Sequence, residues 1–258
     1  MIRRSCLIAL LFGLVSAPVL AATDYTDTWW DSNEAGWGVT LTQQANFIFV
    51  TFYVYAPDGR PTWYTAYLTR DGTAERFSGG VHRSQGTWFG APWAGSSIAQ
   101  VGTATFSADS STSGTLDYSV DGVTVIKFIE RTPLVPLNLA GLYIGGVSGR
   151  RSGCPASGAI IETMHFDVLH ATVSGDVRID QVSAATGALV CRMEGKAVQS
   201  GKVFSIDGAN YTCIDGWSAI ARVFNLRPTP AGFEGQWFSD AGNGCTEDGQ
   251  FSGVTRTP

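Results

Sequence analysis

Asp31 and Glu34 stand three residues apart in a stretch, Trp29 to Tyr64, that also holds Trp29, Trp30, Trp37 and Trp63 of the eight tryptophans. Tyr53, Tyr55 and Tyr64 lie in it too. Two carboxyls at defined separation, one with a raised pKa, are the apparatus of glycoside hydrolysis. On one glycine-bearing loop, such side chains more often accept hydrogen bonds from nearby backbone N–H groups. The aromatics suit a different task, stacking on the flat apolar face of a sugar or another ligand. Asp58 and Arg60 fall on a turn within the same stretch, where Arg60 is a rim contact or a solvated turn residue.

Other chemistries find little support. His165 and Asp167 share a strand face while His170 points away, and two ligands do not close a zinc site. No Gly-x-Ser-x-Gly elbow joins a strand to a helix, and no helix follows the glycine-rich Gly145–Gly149 to make a phosphate cradle. No metal and no cofactor is expected.

The elements that carry these residues are strands. Short alternating runs recur between turn signals such as Pro57-Asp58-Gly59 and Asp121-Gly122. In the first half, strands are expected near Gly38–Gln43, Phe47–Tyr55, Thr62–Leu68, Glu75–His82, Thr87–Gly90, Val101–Ser107, Gly114–Val120 and Val123–Arg131. In the second half they fall near Gly141–Tyr143, Ile160–Leu169, Thr172–Val182, Leu189–Glu194, Lys202–Ile206, Tyr211–Ile214, Ser218–Asn225, Gly232–Ser239 and Gly249–Thr255. The expected fold is all-β: two small antiparallel up-and-down barrels of about eight strands each, a diverged duplication. Both halves end alike, in Glu130-Arg131-Thr132-Pro133 and Thr255-Arg256-Thr257-Pro258. On Phe47–Tyr55 both faces are apolar, which predicts cover on each side and an inward face bearing Tyr53 and Tyr55, with Trp63 beside them.

Residues 1–21 read as a secretory signal peptide, with Arg3 and Arg4 before the apolar run Leu7–Val15 and a cleavage site near Ala21. That run is too short to span a bilayer as a helix, so no membrane insertion of the mature chain is expected. Residues 22–132 then form an aromatic-rich barrel, 133–138 a linker, and 139–258 a barrel with disulfides. Of 17 basic residues, removal of two leaves 15 against 22 acidic ones, which argues against nucleic acid and anionic membrane surfaces. Four cysteines remain, and an even count in an exported chain reads as disulfides. The expected pairs are Cys191–Cys213 across neighbouring strands and Cys154–Cys245 joining the ends of the second barrel.

Trp29-Trp30, Asn33-Glu34-Ala35-Gly36-Trp37-Gly38, Asp58-Gly59-Arg60-Pro61-Thr62-Trp63-Tyr64, Val101–Phe106 and Gly114–Arg131 occur in that order. Together they resemble an uncharacterised module of exported proteobacterial proteins, which implies a location and no reaction. In shape the halves also resemble lipocalin and avidin-like barrels, where an early aromatic is covered by a late basic residue. That resemblance implies that Trp30 pairs with Arg131, and Tyr143 with Arg256, at the barrel closures.

These readings converge on a secreted or periplasmic, non-enzymatic binding or interaction protein. Its ligand would be a glycan, a small apolar molecule or an envelope protein, held near Trp30, Glu34, Trp37, Tyr53, Tyr55, Arg60, Trp63 and Tyr64. The alternatives are an envelope polysaccharide hydrolase using Glu34 and Asp31, and a purely structural module.

Overall fold

The computed structural model describes residues 23–72 and 74–256; the expected signal peptide and its cleavage point lie outside them. Eight antiparallel strands close the first barrel: β1 (Asp27–Trp30), β2 (Gly38–Gln44), β3 (Phe47–Tyr55), β4 (Pro61–Arg70), β5 (Arg76–Gly86), β6 (Ser96–Ala108), β7 (Ser113–Val120) and β8 (Val123–Arg131). The second comprises β9 (Gly141–Ser152), β10 (Gly158–His170), β11 (Asp176–Ser183), β12 (Leu189–Ser200), β13 (Val203–Cys213), β14 (Ser218–Thr229), β15 (Gly232–Asp240) and β16 (Thr246–Thr255). Sequential strands pair, and the first closes on the last, so neither barrel leaves an open edge.

Three strand expectations are corrected. Thr87–Gly90 is a hairpin tip, and β1 supplies the eighth strand instead. Gly86, Gly90, Pro92 and Gly95 punctuate that stretch and prevent a continuous ladder. The two strands expected at Lys202–Ile206 and Tyr211–Ile214 merge into one, β13, which omits Lys202 and Ile214 and whose register slips between Ile206 and Ala209 where Gly208 takes a φ of 69°. Residues 172–175, expected at the start of a strand, form the turn before β11.

The first barrel is filled. Val39, Leu41, Ile48, Val50, Leu68, Phe77, Phe106, Leu116 and Ile129 point inward and are completely buried. Its closure corrects the expected Trp30–Arg131 pair, because the inward residue is Trp29. Trp29 is fully buried and lies opposite Arg131 in the β1–β8 ladder, whereas Trp30 lies opposite Glu130 and faces outward. The Arg131 guanidinium rests 5.0 Å from the Trp29 ring centre. It donates to Ser111 O at 2.7 Å and to Asp27 Oδ2 at 3.0 Å. Burial pushes the Arg131 pKa down, and the Asp27 carboxylate opposes that shift. Trp29 Nε1 donates to Tyr25 O at 3.0 Å, so the plug leaves no indole donor unpaired.

The second barrel closes differently. Tyr143 is buried and donates its hydroxyl to Leu139 O at 2.9 Å, with its ring edge-on to Phe233. Arg256 is exposed, so the expected Tyr143–Arg256 stack is also corrected. Phe233 occupies the position against Tyr143 that a late cation would need. Both expected disulfides are present, Cys154–Cys245 and Cys191–Cys213.

The linker is docked onto the second barrel: Gln199 accepts from Leu137 N at 2.9 Å and donates to Val135 O at 2.8 Å. A seam joins the barrels at β1. Asp27 Oδ2 accepts from Lys202 N at 2.9 Å, while Asp24 Oδ2 accepts from Lys202 Nζ and Arg227 Nη1. Gly201 has a φ of 58°, and a Cβ there would come within 2.2 Å of Asp27 Oδ2. Only glycine meets both demands. Burial works against ionised Asp24, but hydrogen bonds from Thr26 and Lys202 win and lower its pKa to about 2.

Two outcomes follow. Trp29→Ala should cost about 3–5 kcal/mol in denaturant unfolding, and Trp30→Ala about 1 kcal/mol or less. Equal costs would contradict the plug. Asp24 is depressed, so its contribution is complete above its ordinary value of 3.8 and is lost as pH falls through about 2. Melting curves of Asp24→Asn across that window should therefore show a shallower loss of stability than wild type.

Candidate functional site

The residues singled out in the sequence divide into three places. Ile48, Val50 and Phe52 of β3 take the inward positions, so period-two alternation turns Phe47, Phe49, Thr51, Tyr53 and Tyr55 outward. The expectation that both faces are covered, with Tyr53, Tyr55 and Trp63 inside, is corrected: the opposite face of β3 meets the core. Tyr53, Tyr55 and Trp63 are 51%, 55% and 51% exposed.

Register makes these rings a surface. Tyr53 pairs with Trp63 across β3–β4 and with Gly38 across β2–β3. Trp30 flanks Gly38 on the other side, its Cβ 3.8 Å from where a Gly38 Cβ would stand. The row Trp30, Gly38, Tyr53, Trp63 crosses four adjacent strands, roughly 14 Å at the usual strand spacing. Below it, Thr51 faces Thr65 and Phe49 faces Tyr67, the last two rings being edge-on at 5.3 Å. The result is a shallow aromatic face with the half-buried Thr51 between rings and Thr65 buried beneath it.

Tyr55 anchors the adjoining loop by donating to Gly36 O at 2.8 Å. Gly36 has a φ of 110°, and a Cβ there would be 2.9 Å from the Tyr55 hydroxyl. Within that loop Asp31 accepts from Asn33 N and Asn33 Nδ2.

Glu34, Trp37 and Tyr64 lie elsewhere, at the barrel mouth opposite the Trp29 plug. Trp37 Nε1 donates to Glu34 at 3.0 Å, and Lys127 Nζ reaches both Glu34 oxygens at 2.6 and 2.7 Å. The hydrogen bond to Glu34 raises the Lys127 pKa. Tyr64 is half-buried beneath the guanidinium of Arg83, which pairs with Asp121. Arg60 remains on its turn, exposed and paired with Asp58 at 2.6 Å. Both carboxylates that hydrolysis would need are thus engaged in holding loop and mouth.

Trp88, Phe89 and Trp93 were missed in the sequence. They cap the β5–β6 hairpin, which extends beyond the barrel, and Phe89 is 95% exposed. The tip is closed by Thr87, which donates to Gly95 O and accepts from Ala94 N. The 25 residues between Arg83 and Asp109 carry no charge, and that was the available signal.

Among the described residues, no group of three or more His, Cys, Asp or Glu side chains is placed to hold a metal ion. His170 Nδ1 accepts from Leu139 N at 3.3 Å, its ring edge-on to Phe204.

No protein-family profile matches the chain, and no curated protein matches it. Solved structures that match it remotely include two of transferrin binding protein B. One is a double mutant of transferrin binding protein B from Haemophilus parasuis Hp5, with TM-score 0.37 and 11% identity over 86% of this chain and 54% of that one. The other is isotype 1 transferrin binding protein B from serogroup B Neisseria meningitidis, with TM-score 0.35 and 11% identity over 86% of this chain and 66% of that one. This chain spans about half to two thirds of their lengths. Likeness at this level carries no argument about what the chain does.

Glu34→Ala should loosen the mouth without unfolding the barrel. The pair is partly exposed, so the expected cost is about 1 kcal/mol or less. Freed of its acceptor, Trp37 should become more accessible to acrylamide quenching; unchanged quenching would show that Glu34 does not hold it.

Proposed function

We propose that this chain is an exported, non-enzymatic binding protein of the cell envelope or extracellular space. Its first barrel stacks a glycan against the outer aromatic row. The carrying observation is the Tyr53–Trp63 cross-strand pair, two half-exposed rings side by side on a rigid sheet and continued by Trp30 and Tyr55. Sugar rings present flat C–H faces that suit such a surface, and Thr51 on the same strand face places a hydroxyl near it for a polar edge. A face of this kind also spares the partner the cost of desolvating a charge.

Two further features support the reading. Two disulfides fit an oxidising compartment, in line with the signal peptide read in residues 1–21. The hydrolase alternative is less favoured, because Glu34 is bound to Lys127 and Trp37 while Asp31 braces its own loop. The purely structural alternative leaves the exposed aromatic row without a purpose.

The test is a glycan array followed by affinity electrophoresis in the polysaccharide that scores. Trp63→Ala, shown to melt cooperatively, should weaken retention about tenfold, the scale of one lost stacking contact. Tyr64→Phe should leave it unchanged. If Trp63→Ala binds as wild type does, the site is wrong. If no glycan binds but a protein partner is captured in a Trp63-dependent way, the glycan assignment fails.

A further inference from the structure

We propose that the mouth of the second barrel is a binding site for a small uncharged molecule with a flat apolar body and a hydrogen-bond acceptor. The two barrels differ inside. The first is filled, whereas the second, beside a core that includes Phe166, Phe233 and Phe251, keeps a cavity of about 510 Å3 at the end remote from the linker. That volume falls within the usual range of small-molecule sites, and barrel mouths are a common place for them.

The cavity is built rather than left over. Trp237 lines it and is 4% exposed, yet its Nε1–H has no acceptor in the protein. A buried indole donor without a partner costs free energy, of the order of 1–3 kcal/mol, that a ligand acceptor would recover. The ring is seated by two glycines that face each other in the β9–β16 ladder. A Cβ on Gly149 would come within 2.8 Å of the ring and one on Gly249 within 2.5 Å. Val147, Met164 and the Cys191–Cys213 disulfide complete the apolar wall. Tyr211 adds a hydroxyl whose hydrogen bond to Gln181 is long, at 3.4 Å.

Charge excludes anions, and the unpaired indole donor asks for an acceptor. One cation, Arg151, lines the cavity with three carboxylates, Glu162, Asp215 and Glu247. Arg151 is already committed: its Nε donates to Glu247 at 2.8 Å, and its guanidinium covers the Trp217 ring at 4.3 Å. An anion would meet three carboxylates against one cation that Asp215 and Glu247 already engage. A neutral acceptor such as a carbonyl meets Trp237 Nε1–H and the Tyr211 hydroxyl. This site is separate from the aromatic face of the first barrel and does not depend on its assignment.

The probe is the uncharged naphthyl ketone prodan, titrated into the disulfide-bonded protein, with anionic anilinonaphthalene sulfonate as the charged comparison. Prodan emission should shift to shorter wavelength and saturate at one site per chain, and the sulfonate should bind at least tenfold more weakly. Trp237→Phe keeps a ring but removes the donor, and should weaken prodan about five- to tenfold. Met164→Trp should fill the cavity and abolish binding; if it does not fold, Ile160→Trp at the rim serves instead. Trp63→Ala should change nothing. No saturable prodan binding, equal affinity for the sulfonate, or insensitivity to both Trp237→Phe and the filling variant would overturn the proposal. Loss of binding in Trp63→Ala would move the probe to the first barrel and overturn it too.

Discussion

The buried Arg131–Asp27 pair is the constraint on which the arrangement rests. A guanidinium without solvent must find a counter-charge and acceptors, and here Asp27, Ser111 O and the face of Trp29 supply them. The same Asp27 oxygen accepts from Lys202 of the second barrel. One carboxylate therefore closes the first barrel and joins it to the second. That double duty explains why Gly201, where any side chain would strike Asp27, stands at the seam.

The two barrels share a strand plan and divide its uses. In the first, large side chains fill the interior and the aromatics displaced from it become the outer face. In the second, glycines and alanines line part of the wall, so one tryptophan can lie deep in the interior beside empty space. Disulfides fall where the wall is thinner in side chains: Cys191–Cys213 borders the cavity, and Cys154–Cys245 ties the strands near the same end. Beside its apolar core this barrel keeps an open end, and cross-links closing separations of 91 and 22 residues restrain the strands there.

Much of the fold was legible because alternation and turn chemistry are local. Asp121-Gly122 and Pro57-Asp58-Gly59 marked turns that exist, and the cysteine pairing followed from strand neighbourhood and chain ends. What misled was parity at an adjacent pair. Trp29 and Trp30 face opposite sides, and only the β1–β8 register decides which is inside. The same limit applied to β3, where both faces are apolar and hydrophobicity alone does not say which one meets the core. Trp88, Phe89 and Trp93 were hidden by their resemblance to a short strand, although the absence of charge around them was visible. The cavity near Trp237 was beyond the sequence altogether, since Gly149, Gly249 and Trp237 come together only through register.

Closure through residues 29 and 131 also sets an order of events. β1 is the first strand of the barrel to be made and has only four residues, too few to hold a place alone. Its partner β8 arrives about a hundred residues later, and a contact so distant in the chain forms slowly. Until that contact forms, β1 and β8 each present an unpaired edge, and a neighbouring molecule's β1 could pair with β8 instead. The short strand carrying Trp29 and the waiting Arg131 thus act as a timed latch, whose cost is a period of exposure to exchange between chains.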